Sequence, residues 1–171
     1  GLRVGGCTFP LDEAYLSEFA AALPGPTRVP MVVRVKTSEM TPAMAALLRQ
    51  AGCFEVEFEV LSGSDFIRND IFQLDLSEKQ ILTAFAAARQ AGLRTRALAQ
   101  VGLPYETVVT MEQTGNLLRR AGADSVDVQL FFPLPGTKAY EVCQENGWLS
   151  GRDAESYFAG HTPLDLPGLD A

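Results

Sequence analysis

Histidine is almost missing from this chain: His161 is the only one in 171 residues. It lies in a stretch rich in Gly, Pro and Asp and reads as a surface residue, which leaves no Ser-His-Asp arrangement or His-based zinc site within the chain. Cysteine is scarce as well. Cys7, Cys53 and Cys143 are an odd number at wide spacing, a pattern of free thiols in a reducing compartment rather than of a disulfide framework. No short metal-binding spacing occurs, so no metal ligands are assigned. No apolar run approaches the 18 or more residues of a membrane span, and the first residues lack the basic-then-apolar order of a secretory signal. Positive charge is in deficit, with 14 Lys and Arg against 21 Asp and Glu and a formal net charge of -7. Such a balance opposes the attraction to phosphate on which nucleic-acid binders rely. The expected setting is cytoplasmic, and the expected partner is a small-molecule substrate rather than nucleic acid or membrane.

What is present is ordinary globular composition, 47% hydrophobic and 20% charged, at a length that forms one domain with its own core. Three segments read alike: Arg49-Gln50-Ala51-Gly52, Arg89-Gln90-Ala91-Gly92 and Arg119-Arg120-Ala121-Gly122. Each closes a helix, because glycine just past a helix end accepts the left-handed conformation that terminates it. A strand follows each time. The strands expected are Leu2 to Gly5, Val29 to Lys36, Cys53 to Val60, Leu93 to Val101 and Ser125 to Phe132. Tyr15, Leu16, Phe19, Ala20 and Leu23 give the first helix one apolar face. Thr41 before Pro42 marks the second helix start, Ser77 with Gln80 has capping-box form, and further helices begin near Thr107 and Thr137. Strands alternating with helices require right-handed crossovers and a parallel sheet. The expected fold class is α/β, a partial TIM-like (β/α) barrel of about five parallel strands with outer helices. It occupies residues 1–150, and residues 151–171 form a mostly irregular tail.

In this architecture function gathers at the C-terminal ends of the strands. The residues placed there are Gly5-Gly6-Cys7, Lys36-Thr37-Ser38, Ser62-Gly63-Ser64, Gly102-Leu103-Pro104 and Pro133-Leu134-Pro135-Gly136. Small turns of this kind let a ligand approach the backbone, and they also serve as plain turn chemistry. Glu55, Glu57 and Glu59 alternate with apolar residues and so share one face of their strand. They read first as a solvated face, with a buried acid-base set or cation site as the alternative. Arg34, flanked by valines, would need a partner if buried.

The order of four stretches resembles the radical S-adenosylmethionine (SAM) barrel, in particular the subgroup that often carries an upstream cobalamin domain. Leu48 to Cys53 leads into Val60-Leu61-Ser62-Gly63-Ser64, similar to Gly-x-Glu-Ser-Gly-Ser. Gly102-Leu103-Pro104-Tyr105-Glu106-Thr107 is similar to Gly-Leu-Pro-Gly-Glu-Thr. Phe132-Pro133-Leu134-Pro135-Gly136-Thr137, followed by Tyr140, Glu141 and Gly147-Trp148-Leu149, resembles Pro-Tyr-Pro-Gly-Thr with its helix. Val4 to Asp12 stands where the family has a strand ending in an acidic pair.

The resemblance implies a SAM site built from Gly5 and Gly6, Ser62 and Ser64, Gln100 and Gly102, and Phe132 with Leu134, with Arg34 contacting SAM, substrate or a glutamate. It implies radical methylation or oxidative ring closure, as in the oxygen-independent cyclase of magnesium-protoporphyrin monomethyl ester. It also implies a [4Fe-4S] cluster held by CxxxCxxC, with cobalamin from an upstream domain as a further cofactor. That cysteine motif does not occur here. Cys53 opens its strand and Cys7 closes one, which an eight-residue strand would hold roughly 25 Å apart, too far for one cluster. The resemblance therefore places Gly1 after the family's first strand, and the chain by itself is expected to be inactive. Its first strand would present an unpaired edge through which copies could associate. Leu61, in place of the family's glutamate, and Cys7, in place of an acidic residue, depart from the pattern. They leave open a radical-SAM-like binding domain without radical chemistry.

Overall fold

The computed structural model describes residues 2–22, 29–152, 154–167 and 169, with backbone alone at Gly5, Gly6, Cys7, Ala154 and Ser156. The strands are β1 Leu2–Phe9, β2 Met31–Val35, β3 Cys53–Leu61, β4 Arg94–Val101 and β5 Ser125–Leu130. The helices are α1 Glu13–Ala22, α2 Pro42–Gln50, α3 Glu78–Gln90, α4 Val108–Ala121, α5 Lys138–Glu145 and the short α6 Ala154–Phe158. The strands form one parallel sheet in the order of the chain, β1-β2-β3-β4-β5. The fold class is thus α/β, a partial TIM-like (β/α) barrel, as the repeated strand-helix pattern requires. No helix among the described residues is long and apolar enough to cross a membrane.

Local chemistry explains the helix boundaries. Thr41 Oγ1 accepts from Met44 N ahead of Pro42, Thr137 Oγ1 accepts from Tyr140 N, and Ser77 with Gln80 forms the complete capping box. Gly52, Gly92 and Gly122, the three repeated closers, have φ of 96°, 74° and 68°, which a residue with a Cβ adopts only at a cost. Leu23 of the expected apolar face lies outside the described residues.

Three strands differ from expectation by two residues or more. β5 stops at Leu130, two residues short of Phe132. β2 starts at Met31 because Pro30 has no N–H to give to a ladder. β1 does not stop at Gly5 but runs to Phe9, so Gly5-Gly6-Cys7 lies within the strand and not beyond its end. The ladder is irregular there: Val4 pairs with Val33 and Phe9 with Val35, five steps along β1 against two along β2. Two glycines are well suited to such a bulge.

The chain divides into two compact units. The first comprises Gly1–Val60, Leu76–Leu98 and Leu118–Asp127. In it α1 packs on α2 and α2 on α3, while Met31, Val33, Val35, Val56 and Phe58 are buried. Phe58 of β3 meets Phe85 of α3 at a ring separation of 4.8 Å, and Phe9, Tyr15 and Phe19 form an aromatic cluster. The starts of β4 and β5 are tied by Asp124, whose carboxylate accepts from Thr95 N at 2.8 Å and Thr95 Oγ1 at 2.9 Å. These hydrogen bonds, foremost that from the Thr95 backbone, hold the Asp124 carboxyl below its ordinary range.

The second unit comprises Leu61–Asp75, Ala99–Leu117 and Val128–Ala171. Its core joins Leu61, Ile67, Ile71, Leu103, Phe131 and Cys143 to Leu164 and Leu166 of the tail. The tail is therefore anchored, by these leucines and by an antiparallel bridge between Leu149 and Leu164. A π-helical segment, Phe66–Ile71, follows β3 and packs against α5.

Gly63 lies so close to α4 that a Cβ there would overlap the backbone of Gln113 and Thr114. Its N–H donates to Thr114 Oγ1 at 2.7 Å. Gly115, inside the same helix, faces open space. Gly63→Ala is expected to lower the unfolding free energy by about 3 kcal/mol through overpacking and the strained hydrogen bond. Gly115→Ala should raise it by about 0.5–1 kcal/mol. Urea unfolding of both variants checks the pair, and equal effects would contradict the close approach at Gly63.

Candidate functional site

The turn after β3 is built by its own side chains. Leu61 ends the strand with φ of 63°, a conformation that disfavours a residue with a Cβ by about 1–2 kcal/mol, and its side chain is buried in the core of the second unit. Ser62 Oγ accepts from Ser64 N at 3.2 Å, and Ser64 Oγ accepts from Ile67 N at 3.4 Å. Arg68, buried in the π-helical segment, donates to the Ser62 carbonyl at 2.8 Å and to Asp65 Oδ1 at 2.9 Å. A desolvated guanidinium of this kind needs such partners.

The turn after β4 is held by a buried carboxylate. Glu106 Oε2 accepts from Gly102 N at 2.6 Å and Leu103 N at 3.2 Å, while Oε1 has no hydrogen-bond partner. Desolvation pushes the Glu106 carboxyl up from its ordinary value, and the two backbone amides only partly oppose this. Beside it, Phe66, Tyr105 and Trp148 form a chain of edge-on contacts with ring separations of 5.4 and 4.8 Å. Beyond β5, Phe132 packs edge-on against Tyr157 of α6 at 5.1 Å, and Leu134 is exposed.

Six of the nine residues expected at the SAM site, Ser62, Ser64, Gln100, Gly102, Phe132 and Leu134, thus fall in the second unit. Their polar groups are mostly engaged within the turns, apart from the half-buried Gln100. Gly5, Gly6 and Arg34 belong to the first unit. Sequence reasoning assigned no role to Glu106 or Arg68. An apolar turn sequence followed by one acid was the available signal for Glu106. The π-helical segment that carries Arg68 has no comparable signature.

The glutamate face of β3 departs from the expected solvated face. Glu59 alone is exposed; Glu55 is 4% and Glu57 2% exposed. Arginines cover them. Glu57 Oε1 accepts from Arg3, and Glu57 Oε2 lies 3.5 Å from Arg34 Nε. Glu55 Oε1 lies 2.8 Å from Arg96 Nη2 and 3.0 Å from Arg96 Nε, and its Oε2 lies 3.8 Å from Arg94. Arg34 pairs with Glu57 directly across the ladder, so the salt bridge is the alternative that the structure supports. Among the described residues no three His, Cys, Asp or Glu side chains are grouped to hold a metal ion. Cys53 and Cys143 are buried free thiols, each pushed up to about 11 by desolvation.

No protein-family model matches the sequence, and no curated protein matches it. Solved structures do match in fold. Coproporphyrinogen III oxidase (HemN) from Escherichia coli, a radical SAM enzyme, is similar with a TM-score of 0.66 and 19% identity over 77% of this chain and 32% of its own. TsrM from Kitasatospora setae, a radical SAM methyltransferase with cobalamin and a [4Fe-4S] cluster bound, gives 0.64 and 20% over 78% of this chain and 27% of its own. The archaeal Elp3 of Methanocaldococcus infernus gives 0.62 and 16% over 69% and 28%. The chain spans about a third or less of the length of these proteins.

The raised Glu106 carboxyl makes a pH-dependent contribution with a definite sign. Its proton is held more tightly when folded, so the folded state is favoured at low pH. That advantage is lost as pH rises from the ordinary 4.5 through the raised folded value. Glu106→Gln keeps an oxygen for the two amides and cannot ionise. The melting temperature of the variant minus that of the wild type should therefore climb with pH across this window. A difference that stays flat would show that Glu106 does not carry an elevated pKa.

Proposed function

We propose that this chain is the SAM-binding C-terminal part of the catalytic barrel of a radical SAM enzyme. The observation that carries the reading is the agreement between two independent features. One is the sequential parallel sheet, similar in fold to portions of HemN, TsrM and Elp3. The other is the order of the Leu-Ser-Gly-Ser, Gly-Leu-Pro-Tyr-Glu-Thr and Pro-Leu-Pro-Gly-Thr turns at the ends of β3, β4 and β5. In this reading Gln100, whose half-buried side-chain amide makes no hydrogen bond among the described residues, offers polar contact to ribose. Leu134 and Phe132 offer apolar surface to adenine, and the Ser62-Gly63-Ser64 and Gly102 turns fix the shape of the site. The residues here would orient bound SAM and exclude water, and one-electron reduction of SAM by a cluster, with methionine leaving, would supply a carbon radical.

The cluster itself does not fit the described residues. Among the described residues no three His, Cys, Asp or Glu side chains are grouped to hold a metal ion, and the buried Cys53 and Cys143 belong to different units, whereas the cluster's ligands must converge. Ligands from outside this chain are required, and cobalamin from a separate domain would be added in the same way. The substrate reaction in this reading is radical methylation or oxidative cyclisation, with tetrapyrrole chemistry as one outlet.

One observation favours a second reading, a binding domain of the same fold without radical chemistry. Leu61 occupies the family's glutamate position and turns into the core, so no carboxylate reaches a ribose from there.

Two measurements separate these readings. Anaerobic reconstitution of the chain with iron and sulfide should give no visible cluster absorbance and no 5'-deoxyadenosine; a stoichiometric cluster with turnover would contradict the ligand argument. Saturation-transfer NMR with SAM should show contact to the adenosine protons, reduced at least threefold in both Gln100→Ala and Leu134→Ala. Absence of adenosine contact in the folded wild-type chain would sink the SAM-site proposal and favour the second reading.

A further inference from the structure

The charged face of the first unit is lopsided in a way that a structural ion network does not need. Two carboxylates, Glu55 and Glu57, face four guanidiniums, Arg3, Arg34, Arg94 and Arg96. The carboxylates are shut off from water, with 5% and 3% of their side chains exposed. The arginine side chains remain 53%, 41%, 63% and 33% exposed in the same order. Water therefore meets the positive half of the network. Exposed Glu59 stands two residues along β3 and offsets part of the surplus.

The guanidiniums are unequally used. Arg96 grips Glu55 through two nitrogens and Arg3 donates to Glu57. Arg34 and Arg94 approach their carboxylates only as ion pairs, at 3.5 and 3.8 Å. Each guanidinium has five N–H donors in a planar fork that matches a carboxylate bidentately. Arg34 stands on β2 and Arg94 on β4, so their backbones are two strand spacings apart across the sheet, about 10 Å laterally. Arg34 lies against Glu57 and Arg94 against Glu55, two different carboxylates, so a ligand that serves both forks is best matched by two acid groups held apart by a spacer.

We propose that this face of the sheet is a binding site for an elongated dicarboxylate, with one acid group on Arg34 and the other on Arg94. The buried Glu55 and Glu57 set the forks in place, and of the residues expected at the SAM site only Arg34 is shared: Arg94 and the two glutamates belong to neither the expected SAM site nor the proposed function, so the site survives if that reading fails. The chain's net charge of -7 disfavours long-range attraction of any anion, so recognition must come from these local contacts. Affinity should accordingly be modest and weakened by salt.

The test is a titration of the 171-residue chain at low ionic strength, followed through the arginine Nε–H resonances by NMR. The probes are suberate, whose carboxylates can span two strand spacings, and succinate and acetate, whose acid groups cannot. Suberate is expected to shift the Arg34 and Arg94 signals together and to bind at least tenfold more tightly than succinate or acetate. Arg94→Gln should weaken suberate about tenfold, the value of one charge-assisted hydrogen-bonded contact, and leave acetate affinity within twofold. Arg94 has the most exposed side chain of the four, so its loss should leave the fold intact, which circular dichroism checks; Lys79→Gln, away from this face, is the charge-matched control. Suberate binding no tighter than acetate, or equally weakened by Arg94→Gln and Lys79→Gln, would overturn the proposal.

Discussion

A carboxylate removed from water must either be paired or give up its charge, and β3 forces that choice on the first unit. As the middle strand of five it is buried on both faces, yet it carries glutamate on one of them. Glu55 and Glu57 are tolerated because β1, β2 and β4 each bring arginine to the same face, and the parallel register places Arg34 opposite Glu57. Removing one partner from such a network leaves a desolvated charge, a much larger penalty than losing an exposed ion pair. The pairing therefore couples four strands through charge as well as through their ladders.

The second unit meets the same constraint differently. Among the described residues no ion pair reaches Glu106, which relies on two backbone amides. Burial therefore favours its neutral form. The arrangement ties the turn after β4 to the start of α4, just as Asp124 ties the starts of β4 and β5 with a carboxylate that stays more exposed and titrates lower. Environment separates these carboxyls: desolvation governs one and hydrogen bonding governs the other.

Much of this organisation is legible in the sequence, and the legible part is local. Helix caps at Thr41, Ser77 and Thr137, and the closing glycines at 52, 92 and 122, depend on residues within one turn of each other, so a linear reading finds them. The order of the sheet follows from them because right-handed crossovers leave few topologies. The extent of β1 was not legible, since a double glycine reads as a turn and only the partner ladder of β2 carries the strand onward to Phe9. The burial of Glu55 and Glu57 was hidden for the same reason: alternation fixes which side chains share a face, while the arginines that cover that face arrive from three other strands. Arg68 and the π-helical segment have no periodic signature at all. The glutamate of Gly-Leu-Pro-Tyr-Glu-Thr was visible as a letter, but its function in holding amides depends on a burial that spacing does not report.

The Leu-Ser-Gly-Ser turn shows why a motif and its physical cause need separate arguments. A glycine between two serines suggests room for a ligand, yet Gly63 is required already by the approach of α4, and both serines spend their hydroxyls within the turn. Leu61 accepts a strained backbone because its side chain is buried among Ile67, Ile71 and Leu103, and a buried leucine is worth more than the roughly 1–2 kcal/mol of strain. Arg68 then fixes the Ser62 carbonyl from below. The turn is thus held from three sides by groups of the chain itself. A ligand that docks there meets a formed surface and loses little free energy to ordering it. Preorganisation of this kind suits a cofactor site, and it would equally serve a domain that had kept the pocket and lost the chemistry. The backbone is fixed by packing in both cases, so the distinction rests on the side chains that remain free, Gln100 and Leu134.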